Sequence, residues 1–128
     1  MAKVTANIEK NTYKTILQGD TKTFLADEPA DLGGTNLGPT PLELLASSLA
    51  ACTAITVRMY ANRKQWPLED IVVDVELDTE SKPGTTLFKK KIEIIGDELD
   101  DKMRERILNI AEKCPVNKIL QQPIEMVK

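Results

Sequence analysis

Two cysteines and the absence of any histidine decide which chemistry is open to this chain. Cys52 lies inside the apolar segment Leu42 to Ile55, and Cys114 ends a second periodic segment, running into Pro115-Val116-Asn117-Lys118. Without histidine there is no Ser-His-Asp triad, no Cys-His dyad, no His-based metal site and no imidazole switch near neutral pH. If the chain is an enzyme, the chemistry these residues fit best is sulfur redox chemistry. Free cysteine is also a common small core residue, so the surroundings of each sulfur must decide between the two readings.

The 128 residues fit a single domain, 1–128. A net charge of −3 provides no basic footprint for nucleic acid. The first ten residues have no apolar run of the signal type, and the apolar stretch Leu42 to Val57 is broken by Glu43, Ser47, Ser48, Thr53 and Thr56. That stretch reads as too short to span a bilayer comfortably. The expectation is a cytoplasmic protein with no membrane or nucleic-acid partner, in which two cysteines stay reduced unless they are catalytic or sensing.

Residues 3–9 and 12–18 alternate around Lys10-Asn11 and predict a hairpin, with a third strand over 21–26. Asp27 to Pro39, rich in Gly and Pro, reads as a loop long enough to be functional or interfacial. Thr40-Pro41-Leu42-Glu43 then announces a helix: Thr40 caps, Pro41 suits the first position and Glu43 completes a capping box. The helix runs to about Lys64, before Gln65-Trp66-Pro67. It is apolar nearly all round from Leu42 to Val57, which marks it as central.

Ile71, Val73, Val75 and Leu77 alternate with polar positions, and 85–95 returns after Pro83-Gly84 with Lys89 and Lys91 facing the acidic side of its partner. Asp97 opens a second helix with Leu99, Met103, Ile107, Ile110 and Cys114 on one stripe; a short helix and a last strand after Pro123 complete the chain. The order βββ-α-ββ-α-β, with strands clustered, predicts an α+β fold with a largely antiparallel sheet around a long central helix. One subunit's strands hardly cover such a helix, so an intertwined homodimer is expected.

On that helix Leu45, Leu49, Ile55, Thr56 and Met59 share the stripe of Cys52, with Ser48 one turn back. An aliphatic surround raises a thiol's pKa, so a reactive Cys52 needs a cation from elsewhere. Lys22, Arg58, Lys3 and Lys14 qualify by type only. Glu43, nine residues away at about 100° each, falls opposite Cys52 on its own helix. Cys114, followed by a helix-opening proline, occupies an N-cap, where N–H groups favour a thiolate.

Asp27-Glu28-Pro29, Gly38-Pro39-Thr40-Pro41-Leu42-Glu43-Leu44-Leu45, Ala50-Ala51-Cys52-Thr53, Arg58-Met59-Tyr60-Ala61-Asn62-Arg63-Lys64, Trp66-Pro67-Leu68-Glu69 and Cys114-Pro115-Val116 together resemble the OsmC/Ohr family, its general OsmC-like branch more than the organic hydroperoxide resistance branch proper. The resemblance implies an intertwined homodimer and a cysteine-based hydroperoxide reductase serving oxidative-stress defence. Cys52 would be the peroxidatic and Cys114 the resolving catalytic residue. It implies an organic hydroperoxide as substrate, an external dithiol of the lipoyl type as reductant, and no cofactor or metal. Glu43, Lys22 and Arg58 are the candidates for activating or orienting Cys52. The family's peroxidases carry an N-terminal arginine, whereas everything before Arg58 here is lysine. Their glutamate aligns with Leu42, one residue before Glu43. Lys22 lacks the planar fork that an arginine offers a peroxide. Two alternatives keep the fold and the cysteines: a low-turnover dimer binding a small apolar ligand, and a cysteine redox sensor.

Overall fold

A computed structural model describes residues 1–128. The chain falls into two compact units, Met1–Leu45 and Ala46–Lys128. The first holds an antiparallel meander of β1 (Thr5–Ile8), β2 (Thr15–Gln18) and β3 (Thr23–Ala26), in that spatial order. Thr15 stands opposite both Ile8 and Ala26, which fixes the register across all three strands. The long loop that follows has one 3-10 turn, Ala30–Leu32, closed by Gly33 in the left-handed region at φ 89°.

The helix α1 spans Pro41–Lys64, and its first turn belongs with the first unit. Its start is the expected capping box: the Glu43 N–H donates to Thr40 Oγ1 at 3.2 Å, and the Thr40 N–H donates to Glu43 Oε1 at 2.9 Å. It ends where Gln65 turns left-handed at φ 57° and the Trp66 N–H returns to the Ala61 carbonyl at 2.9 Å. This 24-residue helix, with mean hydropathy 1.4 over its most apolar window, is long and apolar enough by composition to cross a bilayer. The sequence estimate of its apolar length was therefore too short, because it stopped at Val57.

The second unit sets the hairpin β4 (Asp70–Asp78) and β5 (Leu87–Ile95) beside α1, α2 (Asp101–Ala111) and α3 (Pro115–Leu120). Lys91 stands opposite Asp74 and Lys89 opposite Glu76, as the alternation of charges predicts. The other face of β5 supplies Ile92 and Ile94 to a core of Val57, Ala61, Leu68, Leu99, Ile107 and Ala111. Arg104 ties the hairpin's end to α2 by donating to the carbonyls of Ile94 (2.9 Å) and Gly96 (2.6 Å).

Two boundaries depart from expectation. Asp100, not Asp97, caps α2, accepting the Met103 N–H at 2.8 Å, while the Asp97 N–H is engaged by Glu69 Oε2 at 3.1 Å. Either Asp suits a cap by type, and the turn through Gly96 selects the later one. The last strand after Pro123 does not form. A strand exists only through pairing, and no edge of this chain takes up residues 123–128; Ile124, Met126 and Val127 stay exposed. The architecture is α+β with antiparallel sheets and three helices.

Candidate functional site

The two sulfurs lie together in the second unit. Cys114 is wholly buried at 0% exposure, Cys52 is half-buried, both are free thiols, and Cys52 is near enough to bear on the ionisation of Cys114. What joins them is helical phase. The buried residues of α1 are Leu49, Thr53, Val57, Tyr60 and Ala61, one stripe facing the hairpin unit's interior. Cys52 sits at the edge of that stripe, with Leu45, Ile55 and Met59 on its exposed side.

Cys114 caps α3 as its position before Pro115 predicts, its Sγ accepting the Asn117 N–H at 3.3 Å. Thr53, the neighbour of Cys52, reaches the same sulfur with Oγ1 at 3.6 Å. Lys90 completes the group from β5: its Nζ donates to Thr53 Oγ1 at 3.2 Å and to the Ala111 carbonyl at 3.1 Å. An ammonium only donates, so Thr53 Oγ1 accepts from Lys90 and its own hydrogen is left able to turn to the sulfur, above all when that sulfur is a thiolate. Burial is the largest single influence on the Cys114 thiol and pushes it up. The Thr53 hydroxyl, the Asn117 N–H, the Cys52 thiol and the Lys90 charge act the other way and together bring it below the ordinary thiol value.

A cavity of about 430 Å³ opens beside this network, lined by Leu49, Phe88, Lys90, Asn117, Leu120 and Gln121. A second, of about 310 Å³, lies on the first unit among Asn7, Glu9, Lys14 and Ile16, and contains neither sulfur. No group of three or more Cys, Asp or Glu side chains converges to hold a metal ion.

The other residues singled out in the sequence have separate places. Glu43 is occupied by the capping box. Arg58, six residues beyond Cys52 and so about 120° round the helix, donates to the carbonyls of Leu68 at 2.8 Å and Glu69 at 3.2 Å. It fastens the end of α1 to the segment leading into β4. Lys22 is exposed in the turn between β2 and β3 of the first unit, its carbonyl accepting the Gly19 N–H. Lys3 and Lys14 are exposed in the same unit.

The cation nearest the sulfurs, Lys90, was absent from the sequence candidates. Its signal was present: Phe88, Lys90, Ile92 and Ile94 share one strand parity, and a lysine on the parity of a core face requires a partner. Thr53 carries no such signal, since helical spacing from Cys52 points to Thr56.

The fold has known relatives. The family model described as OsmC-like protein matches residues 34–127. No curated protein sequence gives a significant match. Among solved structures, an OsmC like protein from Mycoplasma pneumoniae superposes with a TM-score of 0.75 at 23% identity, over 94% of this chain and 87% of that one. The organic hydroperoxide resistance protein OhrB of Bacillus subtilis gives 0.63 at 24%, over 94% and 90%. An organic hydroperoxide resistance protein OsmC from Legionella pneumophila gives 0.61 at 23%, over 93% and 89%. At these identities the superpositions establish the fold. With the family model covering both cysteine segments, the chain belongs to the OsmC-like protein family.

Proposed function

We propose that this protein is a thiol-dependent peroxidase that reduces organic hydroperoxides through Cys52 and Cys114. The observation that carries the reading is the buried, hydrogen-bonded Cys114 thiol lying against a half-exposed Cys52. The Cys52 thiolate attacks the hydroperoxide, taking one oxygen as a sulfenic acid; the alkoxide leaves and becomes the alcohol with a proton from solvent. Cys114 then attacks the Cys52 sulfur, a disulfide forms, and its proton departs with the hydroxyl as water. An external dithiol restores both thiols by exchange. The aliphatic side chains of Leu45, Ile55 and Met59 beside Cys52 favour an alkyl hydroperoxide over hydrogen peroxide, and in the dimer proposed below they put the site at the subunit seam. Free thiols of this kind suit a reducing, cytoplasmic setting.

The test is intact mass after one equivalent of cumene hydroperoxide, beside a hydrogen peroxide control. The expected result is rapid loss of two hydrogens, faster with the organic oxidant. An unchanged mass over minutes, with both thiols still titratable, would sink the peroxidase. It would favour the reading as a low-turnover dimer that binds a small apolar ligand.

The working unit is a homodimer on the same reading. α1 leaves Leu42 (57%), Leu45 (41%), Ile55 (54%) and Met59 (67%) exposed along the row that carries Cys52. The first unit leaves Ile8, Ile16 and Phe24 about half exposed as well. Apolar surface of this extent in a small chain marks an interaction face, and a second copy offers the matching surface. Light scattering is expected to give twice the chain mass for the parent and to show dissociation for Met59→Lys. A parent that stays monomeric at tens of micromolar would exclude the dimer.

A further inference from the structure

We propose that Lys90, acting through Thr53, makes Cys114 the leaving sulfur when the Cys52–Cys114 disulfide is reduced, so that the incoming thiol attacks Cys52. The inference rests on the dithiol chemistry proposed above and assigns the direction of its regenerating step. Accessibility and leaving ability point the same way. Cys52 is the half-exposed sulfur and Cys114 has 0% exposure, so an external thiolate reaches only the first. The departing thiolate is generated on the other sulfur, where the Thr53 hydroxyl and the Asn117 N–H are already aimed at it. Lys90 holds Thr53 in that orientation by occupying its oxygen from the far side. In thiol–disulfide exchange the sulfur better stabilised as thiolate leaves faster.

The charged and titratable groups around Cys114 support the assignment to Lys90. From α1 comes Cys52; from β5 comes Lys90; the end of α2 brings Glu112 and Lys113, and α3 brings Lys118, all three exposed. Lys90 alone among the charged groups is half-buried and bonded to a side chain that touches the sulfur. It is a positioning residue, since it acts through Thr53.

The step balances as follows. The attacking thiolate forms a mixed disulfide with Cys52 as the Cys52–Cys114 bond breaks and Cys114 leaves with the electron pair. The second thiol of the reductant then attacks its own mixed disulfide. Cys52 is released and protonated, and the reductant ends as a disulfide having given up two electrons.

The experiment uses the full chain oxidised with diamide, so no peroxide step enters. Brief exposure to glutathione, an acid quench and peptide mapping are expected to locate the adduct on Cys52. Reduction by dithiothreitol is expected to slow about three- to tenfold in Lys90→Met and to recover in Lys90→Arg. Thr53→Val should slow reduction at least as much as Lys90→Met, and the double variant should be slowed by less than the product of the two, because the Lys90 effect passes largely through Thr53. Thermal melts identify any variant that has lost its fold, and the adduct's position in the parent needs no variant. An adduct on Cys114, equal reduction rates in Lys90→Met and the parent, or failure of diamide to form the disulfide would each overturn the inference. A protein inert to hydroperoxides yet behaving as expected after diamide would instead refute the peroxidase and leave this assignment standing.

Discussion

Replacing Cys52 with serine is expected to lower hydroperoxide consumption by about a thousandfold or more, because a serine hydroxyl offers no comparable nucleophile at neutral pH. Replacing Cys114 with serine has a different expected signature. The variant still oxidises, gaining one oxygen on Cys52 that dimedone can trap, but it forms no disulfide. Its first oxidation keeps a rate close to the parent's, since Cys114 enters only at the resolving step. Stopped-flow consumption assays and intact mass distinguish the two variants in one afternoon's samples. If Cys114→Ser loses all reactivity while Cys52→Ser still forms a sulfenic acid, the roles are reversed. The geometry argues against reversal: Cys114 has no exposed surface for a hydroperoxide to approach, and Cys52 sits at the edge of the exposed row of α1.

The sequence was most legible where local chemistry decides structure. Thr40, Pro41 and Glu43 specify the start of α1 because capping needs only residues three apart, and Gln65-Trp66-Pro67 specifies its end in the same way. The register of β4 with β5 follows from charges that alternate with apolar residues on both strands. The N-cap role of Cys114 was readable from Pro115 alone.

What stayed hidden required tertiary contact. Lys90 lies between Lys89 and Lys91, and a run of three lysines reads as a solvated face; only the parity of Ile92 and Ile94 separates it. That Thr53 rather than Thr56 meets Cys114 depends on which side of α1 receives α3, and helical spacing around Cys52 is silent on that. Arg58 was available by type as a partner for Cys52, but the free carbonyls of Leu68 and Glu69 beyond the end of α1 claim its guanidinium. The unformed last strand carries the same lesson, since its alternation was adequate and its partner edge was missing.

Gly and Pro make Asp27 to Pro39 a loop, but it is a built one, and Gly34→Ala is expected to break it. Asp27, 2% exposed, gathers the loop around its carboxylate. It accepts from the N–H groups of Glu28 (2.7 Å) and Leu37 (3.2 Å) and from the hydroxyl of Thr35 (2.6 Å). Gly34 passes so close beneath that a Cβ there would stand 1.9 Å from the Glu28 carbonyl oxygen and 2.9 Å from Asp27 Oδ1. The backbone cannot yield at the first contact without releasing the second. Gly34→Ala should therefore cost about 2–4 kcal/mol, a fall in melting temperature of roughly 10 °C for a chain of this size. Acid provides an independent reading of the same clasp. The Thr35 hydroxyl bond is the strongest influence on Asp27; with the backbone N–H bonds it outweighs burial and holds the carboxyl below its ordinary value. A depressed folded pKa means this stabilisation is complete above the unfolded carboxylate value of about 3.9 and is lost as pH falls through the lower folded one. The parent's stability should fall with acid across that window, and less steeply in both Asp27→Asn and Gly34→Ala. A Gly34→Ala melt within a degree of the parent, or an unchanged acid slope in both variants, would mean that the loop is held by something other than Asp27.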